Sequence, residues 1–379
     1  MLRVRGSGEE RRPTRVVEAT CVLLAALLLP ILLRGVPASA TSFLGWLHLK
    51  NLVDPLVGKE VSTDVAALVA QAQALITPGE SAYSPLGELY REIGVDWPVS
   101  HSNMHMPFEI PLFLVLVPIP VGWWTSFWIS GSFVMIAWAM RLMGIRPLPA
   151  YAVTVAVVLT VPGSLALRSN YPLLALLLAV TWRWRQSSAV AGACLAVMAS
   201  GRAVGGVVAG WFLMARRYRP LVWATFVVAL LGLTVLVLDA QSFSDFFSLG
   251  REGVREVLQR DDNLTVQALL VRLDLPSEFS VAIGLLPVAL VARWRRHDYW
   301  AWVWASMASA PIAWSYSVVQ GVPLLANCWS RGRIGRGAVV TTALAVLATP
   351  SHYGLAWPLF IVASGFGVLK GARSQKSSG

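Results

Sequence analysis

"HMPFEIPLFLVLVPIPVG", residues 105–122, is apolar enough to pass for a membrane span, and its reading decides the topology of everything after it. Its prolines at 107, 111, 118 and 120 interrupt any straight helix. Counting it as a span would place the next basic cluster, "RLMGIRP" (141–147), outside and invert every later one. Left at the outer membrane face, lying on it or re-entering it, the stretch lets all the basic clusters fall on one side. Those clusters are "RRPTR" (11–15), "RLMGIRP", "WRWRQ" (182–186), "ARRYRP" (215–220), "ARWRRH" (292–297), "RGRIGR" (331–336) and "KGARSQKSSG" (370–379). Clusters of this kind mark cytoplasmic loops by the positive-inside rule.

Composition agrees with a chain that lives in a bilayer. Hydrophobic residues make up 56% of the 379 and charged residues only 13%, which excludes an ordinary soluble domain. The expected spans are 17–35, 123–140, 148–167, 171–183, 187–201, 203–215, 221–239, 279–292, 299–314, 316–329, 337–349 and 353–369. The fold class is therefore all-α: a polytopic membrane protein of about twelve transmembrane helices with both termini cytoplasmic. On this placement the inner side carries 21 Lys+Arg against 4 Asp+Glu, and the outer side 10 against 16. The net charge of +11 thus belongs to loop placement and not to nucleic-acid binding. Twelve spans require an uncleaved first helix, although residues 1–36 also have the charged start and apolar core of a signal peptide. Cys21, Cys194 and Cys328 all fall within apolar spans, as small packing residues with no disulfide or metal spacing.

The domain plan follows. Residues 1–16 are a cytoplasmic tail and 17–35 the first transmembrane helix. Residues 36–122 form a long extracytoplasmic loop carrying surface helices, and 123–239 hold helices two to seven. A second outer loop spans 240–278, helices eight to twelve span 279–369, and 370–379 form a cytoplasmic tail. A site for a polar substrate has to involve the two long outer loops, because every other outer connection is a tight turn. In the first loop the run Asp64 to Ile76 reads as a helix, N-capped by Ser62 or Thr63 and stopped by Thr77-Pro78-Gly79. Position alone explains Asp64 as a first-turn acid favoured by the helix dipole.

The order of features resembles the polyprenol-phosphate-dependent glycosyltransferases of the GT-C class, in particular the glycosyltransferase 87 family of bacterial mannosyltransferases. That pattern has a first span, an aspartate leading an amphipathic helix, a Gly and a Tyr, and a proline-containing apolar stretch. Here these are Asp64, Gly79, Tyr83 and residues 105–120. A span junction with a leucine run follows as "LRSNYPLLALLLAV" (167–180), then "AVAGACLAVMASGRAVGGVVAGWFLMARRYRP" (189–220). Next come an outer-loop motif, "DNLTVQALLVRL" (262–273) with Asn263, Thr265 and Arg272, and a last stretch, "SAPIAWSYSVV" (309–319). Three positions depart from the pattern. The usual lysine is Arg202, which keeps the charge and adds a bidentate fork suited to phosphate. A Gly-Gln pair is Ser169-Asn170, and a histidine position after Trp314 reads Ser315-Tyr316-Ser317.

The resemblance implies a GT-C-like bundle at the cell membrane, with its active site at the extracytoplasmic face. The donor would be a polyprenyl-phosphate-linked sugar, mannose in the family, and the acceptor an envelope glycolipid or polysaccharide. Asp64 would be the general base, deprotonating the acceptor hydroxyl in a single inverting displacement. Arg202 and Arg168, where spans meet the outer surface, would hold the donor phosphate, joined by Arg255 of the second loop and by His105. Tyr83, Asn263, Trp314 and Tyr316 would bind sugar or acceptor. No cofactor is expected; Asp261-Asp262 reads as a solvated acidic pair and no metal site is assigned. Membrane lipids are the remaining partners. A transporter or flippase of lipid-linked sugars, or a non-catalytic binder of them, is the alternative reading; a transporter would call for mid-membrane charges and internal repeats.

Overall fold

The computed structural model describes residues 64–94, 105–160, 169–260, 263, 265–313, 315–348 and 356–371. Among these every regular element is helical. Two short helices come first, α1 (Asp64–Ile76) and α2 (Leu86–Glu92), followed by a 3-10 helix at Ile110–Leu116. The longer run then begins with α3 (Val121–Leu142), α4 (Pro147–Thr160), α5 (Tyr171–Arg183), α6 (Ser188–Gly201), α7 (Ala203–Met214) and α8 (Tyr218–Asp239). It continues with α9 (Gln241–Gln259), α10 (Val266–Arg272), α11 (Ser277–Gly284), α12 (Leu286–Trp294) and α13 (Tyr299–Ala308). A second 3-10 helix, Ser315–Gly321, precedes α14 (Val322–Ser330), α15 (Arg333–Ala348) and α16 (Ala356–Gly371). The predicted first span, residues 17–35, and Cys21 lie outside the described residues. Cys194 and Cys328 are free and buried.

Among the described residues two helical stretches, Tyr218–Asp239 and Ser277–Trp294, are long and apolar enough to cross a membrane, and the other described helices in the positions read as spans do not pass that test. The first of them turns Val222, Phe226, Leu230, Leu233 and Val237 outward. A continuous apolar face of that kind needs an apolar solvent or partner.

Side chains collect into two cores. The larger is aromatic, with Tyr299 of α13 packed between Trp182 of α5 and Trp211 of α7, each ring centroid 5.2 Å away. The Tyr299 hydroxyl donates to the Leu178 carbonyl at 3.0 Å, so its polar end is satisfied inside the bundle. The smaller core is built around α1, packed against α2, the first 3-10 helix and α8.

The first outer loop was expected to carry surface helices, but α1 is buried along its length: Val65 to Ala72, then Ala74 and Leu75. Alanine at 66, 67, 70, 72 and 74 explains this, because small side chains let neighbours close on every face. Gln71, the polar residue in its middle, donates to the Ala82 carbonyl at 2.9 Å. The helix ends at Thr77-Pro78-Gly79, where Gly79 takes φ +85° to turn the chain.

Residues 105–122 form no straight α-helix. The described regular element is the 3-10 helix, with Pro111 in its first turn. The three-residue repeat of that helix lines up Ile110, Phe113 and Leu116 along one edge. The expected span 299–314 is also broken: α13 ends at Ala308 and residues 309–313 are not helical.

Candidate active site

Three separated segments meet at one buried carboxylate. Glu109 lies just before the first 3-10 helix and is 3% exposed. One of its oxygens, Oε2, pairs with His105 Nδ1 at 2.8 Å, four residues earlier in the same turn. The other, Oε1, accepts from Asn170 Nδ2 at 2.7 Å, across 61 residues of sequence. Arg202 supplies the third segment; its charge acts on Glu109, and its guanidinium carbon lies 5.4 Å from the centre of the Tyr171 ring.

The supporting structure explains how these groups converge. Asn170 sits on the turn that opens α5, and the indole of Trp128 on α3 donates to the neighbouring Ser169 carbonyl at 3.0 Å. Arg202 is the single extended residue between α6 and α7, with φ −151° and ψ 149°. Gly201 precedes it because nothing larger fits: a Cβ there would stand 2.5 Å from Glu109 Oε1. The Tyr83 hydroxyl donates to the His105 carbonyl at 2.8 Å and fixes the turn from the first outer segment.

Burial by itself would push the Glu109 carboxyl up. The charge of His105, its hydrogen bond, the charge of Arg202 and the Asn170 amide outweigh that and hold it below the ordinary carboxylate range. Glu109 is therefore an anion at neutral pH. The Tyr83 hydroxyl is pushed far upward, first by burial and then by Glu109, Asp245 and Asp239, so it remains a neutral donor.

A cavity of about 250 Å³ opens beside the cluster. Glu109, Asn170 and Gly201 lie at it, and Phe113, Leu116 and Leu174 supply apolar wall. Asn170 Oδ1 is buried and has no hydrogen-bond partner among the described residues. A polar group entering there would find an acceptor in Asn170 Oδ1 and apolar wall around it.

The other predicted residues fall differently. Asp64 is the first residue of α1, and its side chain lies outside the described residues, as do those of Arg255 on α9 and Tyr316 on the second 3-10 helix. Arg168, Trp314 and the Asp261-Asp262 pair lie outside them altogether. Asn263 is described and fully buried, but its side chain is engaged by the protein itself. Its Nδ2 donates to the carbonyls of Val257 (3.1 Å) and Pro311 (3.0 Å), and its Oδ1 accepts from Ala313 N (3.2 Å). Thr265 Oγ1 donates to the same Pro311 carbonyl and Gln267 Nε2 to that of Ser309. These bonds satisfy the carbonyls released where α13 stops early. No group of three or more His, Cys, Asp or Glu suited to a metal ion occurs among the described residues.

Glu109 is not among the residues expected from the sequence. Its signal was an acid set four residues after a histidine inside an apolar stretch, which is where ionisable residues are expensive and retained for a partner.

The model of glycosyltransferase family 87 matches residues 105–350, more than half of the chain, beginning at His105 and taking in Glu109, Asn170, Arg202 and Asn263. The chain belongs to glycosyltransferase family 87. It is accordingly a glycosyltransferase, and with its apolar helices a membrane protein. Neither Asp64 nor Tyr83 falls within the matched residues of the transferase. No curated protein matches the chain, and no solved structure does.

Proposed function

We propose that the transferase moves a mannosyl residue from a polyprenyl-phosphate donor to an envelope glycolipid or polysaccharide at the extracytoplasmic face, in a multi-pass bundle of about twelve spans. The observation that carries this reading is the junction of the buried Glu109 cluster with an apolar-walled cavity. A lipid-linked donor has the same division, a charged head on a long apolar chain. The isoprenoid end would lie along Phe113, Leu116 and Leu174, with the head toward Asn170 and Arg202.

In the proposed step the acceptor hydroxyl attacks the anomeric carbon and its proton passes to the Asp64 carboxylate. The bond from the anomeric carbon to the phosphate oxygen breaks, leaving polyprenyl phosphate and an inverted linkage. Arg202, with Arg168, would stabilise the leaving phosphate through charge-assisted hydrogen bonds, without need of a metal ion. Glu109 would act as a positioning residue: it sits beside the Arg202 cation and holds His105 in a fixed orientation. Arg255, Trp314 and Tyr316 remain proposed contacts of phosphate or sugar. Tyr83 and Asn263 would support such contacts through the turns they hold.

Asp64→Asn tests the base. Membrane insertion should persist while transfer falls about 10²–10⁴-fold, the usual cost of losing a general base. Glu60→Gln, one helical turn earlier in sequence, serves as control. Equal transfer rates in the two variants would leave Asp64 only its place in the first turn of α1.

A further inference from the structure

A second cation cluster lies at the far end of α7 from Arg202. A helix of twelve residues is roughly 18 Å long, so the two are separate places. There the loop after α7 and the loop before α13 border an open surface cavity of about 480 Å³, lined by the exposed Arg216, Arg296 and His297 and the half-buried Arg217, with Trp211 beneath. We infer that this cavity is a binding site for a phosphate-bearing anion, distinct from the Arg202 cluster.

Charge is the first argument. Between residues 110 and 238 the sequence contains no Asp or Glu, and after Glu278 it contains only Asp298. Asp298 is committed elsewhere: Arg331 grips both of its oxygens, each at 2.9 Å. The cations of the cavity therefore have no carboxylate of their own to pair with in these loops. Arg296 Nε donates to His297 Nε2 at 3.1 Å, which holds the imidazole among the guanidinium groups. Guanidinium forks suit phosphate oxygens in geometry as well as charge.

Construction is the second. The bundle holds the loops from below: Trp211 Nε1 donates to the His297 carbonyl and Trp302 Nε1 to that of Arg296, both at 3.1 Å. Both indoles are buried. Arg217 donates to the Arg185 carbonyl at 3.1 Å, tying in a third basic loop.

The third is backbone conformation. The end of α7 closes in a Schellman turn, with Arg217 N bonded to the Phe212 carbonyl and Arg216 N to that of Leu213. The left-handed residue of that turn is Arg216, at φ +56°. The equivalent turn after α3 puts Gly144 there, at φ +84°. A cap alone favours glycine, and the arginine at 216 holds a conformation that L side chains rarely adopt. At 216 that backbone sets an arginine at the cavity instead.

The source of the anion is either a lipid headgroup at the membrane surface or a free phosphate. Purified full-length protein in neutral detergent would be titrated with inorganic phosphate by calorimetry. Retained dioleoylphosphatidylglycerol would be measured against dioleoylphosphatidylcholine by native mass spectrometry. Arg216→Gly and Arg296→Gln should each weaken anion binding about tenfold, the worth of one charged hydrogen bond. Arg219→Gln, at an exposed arginine in the first turn of α8 that does not line the cavity, should leave it unchanged. Arg216→Gly should also match or exceed the wild-type thermal midpoint, because glycine relieves the left-handed turn. Weakening of phosphate binding identifies a soluble anion, and weakening confined to the glycerol lipid identifies a headgroup. The inference fails if neither probe binds to the wild type, if both variants bind like the wild type, or if Arg219→Gln weakens binding as much as they do. A lowered midpoint in Arg216→Gly with binding intact would reduce Arg216 to a partner of the helix dipole.

Discussion

Two buried polar knots, one at Glu109 and one at Asn263, each join segments far apart in sequence, and they differ in what is left over. At Asn263 the partners are neutral backbone groups, and both ends of the amide are used: Nδ2 by two carbonyls and Oδ1 by backbone N–H. Nothing remains for a ligand. At Glu109 the partners are an imidazole, an amide and a nearby guanidinium; one amide oxygen of Asn170 is still open, and a cavity adjoins the group. A saturated neutral knot repairs a broken helix, whereas the charged one leaves an open acceptor beside a cavity.

The sharpest break of that comparison is Glu109→Gln. Glutamine keeps the shape and an acceptor for Asn170 but removes the charge facing His105 and Arg202. Transfer should fall about a hundredfold through lost positioning, with the protein still folded. An unchanged kcat would make the Glu109 knot as architectural as the other.

Asn263→Leu should do the reverse. It removes one donor from each of the Val257 and Pro311 carbonyls and the acceptor of the Ala313 N–H, and should cost about 2 kcal/mol of stability, read as a lower thermal midpoint. Transfer per folded molecule should stay within about threefold of wild type. A kcat loss larger than that would return Asn263 to the substrate site.

Acid separates the knots next. Because the Glu109 carboxyl is held below its ordinary value in the folded protein, its contribution to stability is present above the unfolded carboxylate pKa. That contribution is lost as pH falls through the lower, folded value. The difference in midpoint between wild type and Glu109→Gln should therefore shrink at acid pH, while the Asn263→Leu difference stays constant. A gap for Glu109→Gln that holds at low pH would contradict the ionised carboxylate.

Tyr83→Phe is the mildest test. It removes one hydrogen bond to the His105 carbonyl and should cost about 1 kcal/mol, with transfer reduced only a few-fold. A loss as deep as that of Glu109→Gln would mean that the Tyr83 hydroxyl touches substrate.

Much of the local structure was legible in the sequence. The helix expected from Asp64 to Ile76 has those bounds, and the runs 171–183 and 187–201 fold as Tyr171–Arg183 and Ser188–Gly201. Alanine content, a stop at Pro78-Gly79 and apolar runs between basic clusters are properties of neighbouring residues. Arg202 and Asn170 were legible as positions at span junctions, but not as neighbours of one carboxylate.

The sequence by itself determined an all-helical chain of a membrane glycosyltransferase family, the bounds of α1, α5 and α6 to within a residue, and which segments carry its cations. Such features depend on residues within a few turns of each other, so propensity, capping and hydropathy suffice. Only the tertiary structure decided that α1 is a core helix, that the run after Ala308 breaks and is repaired by Asn263, and that Glu109 meets Asn170 and Arg202. Those outcomes depend on which helices pack together, and a contact across 61 residues leaves no periodic trace along the chain.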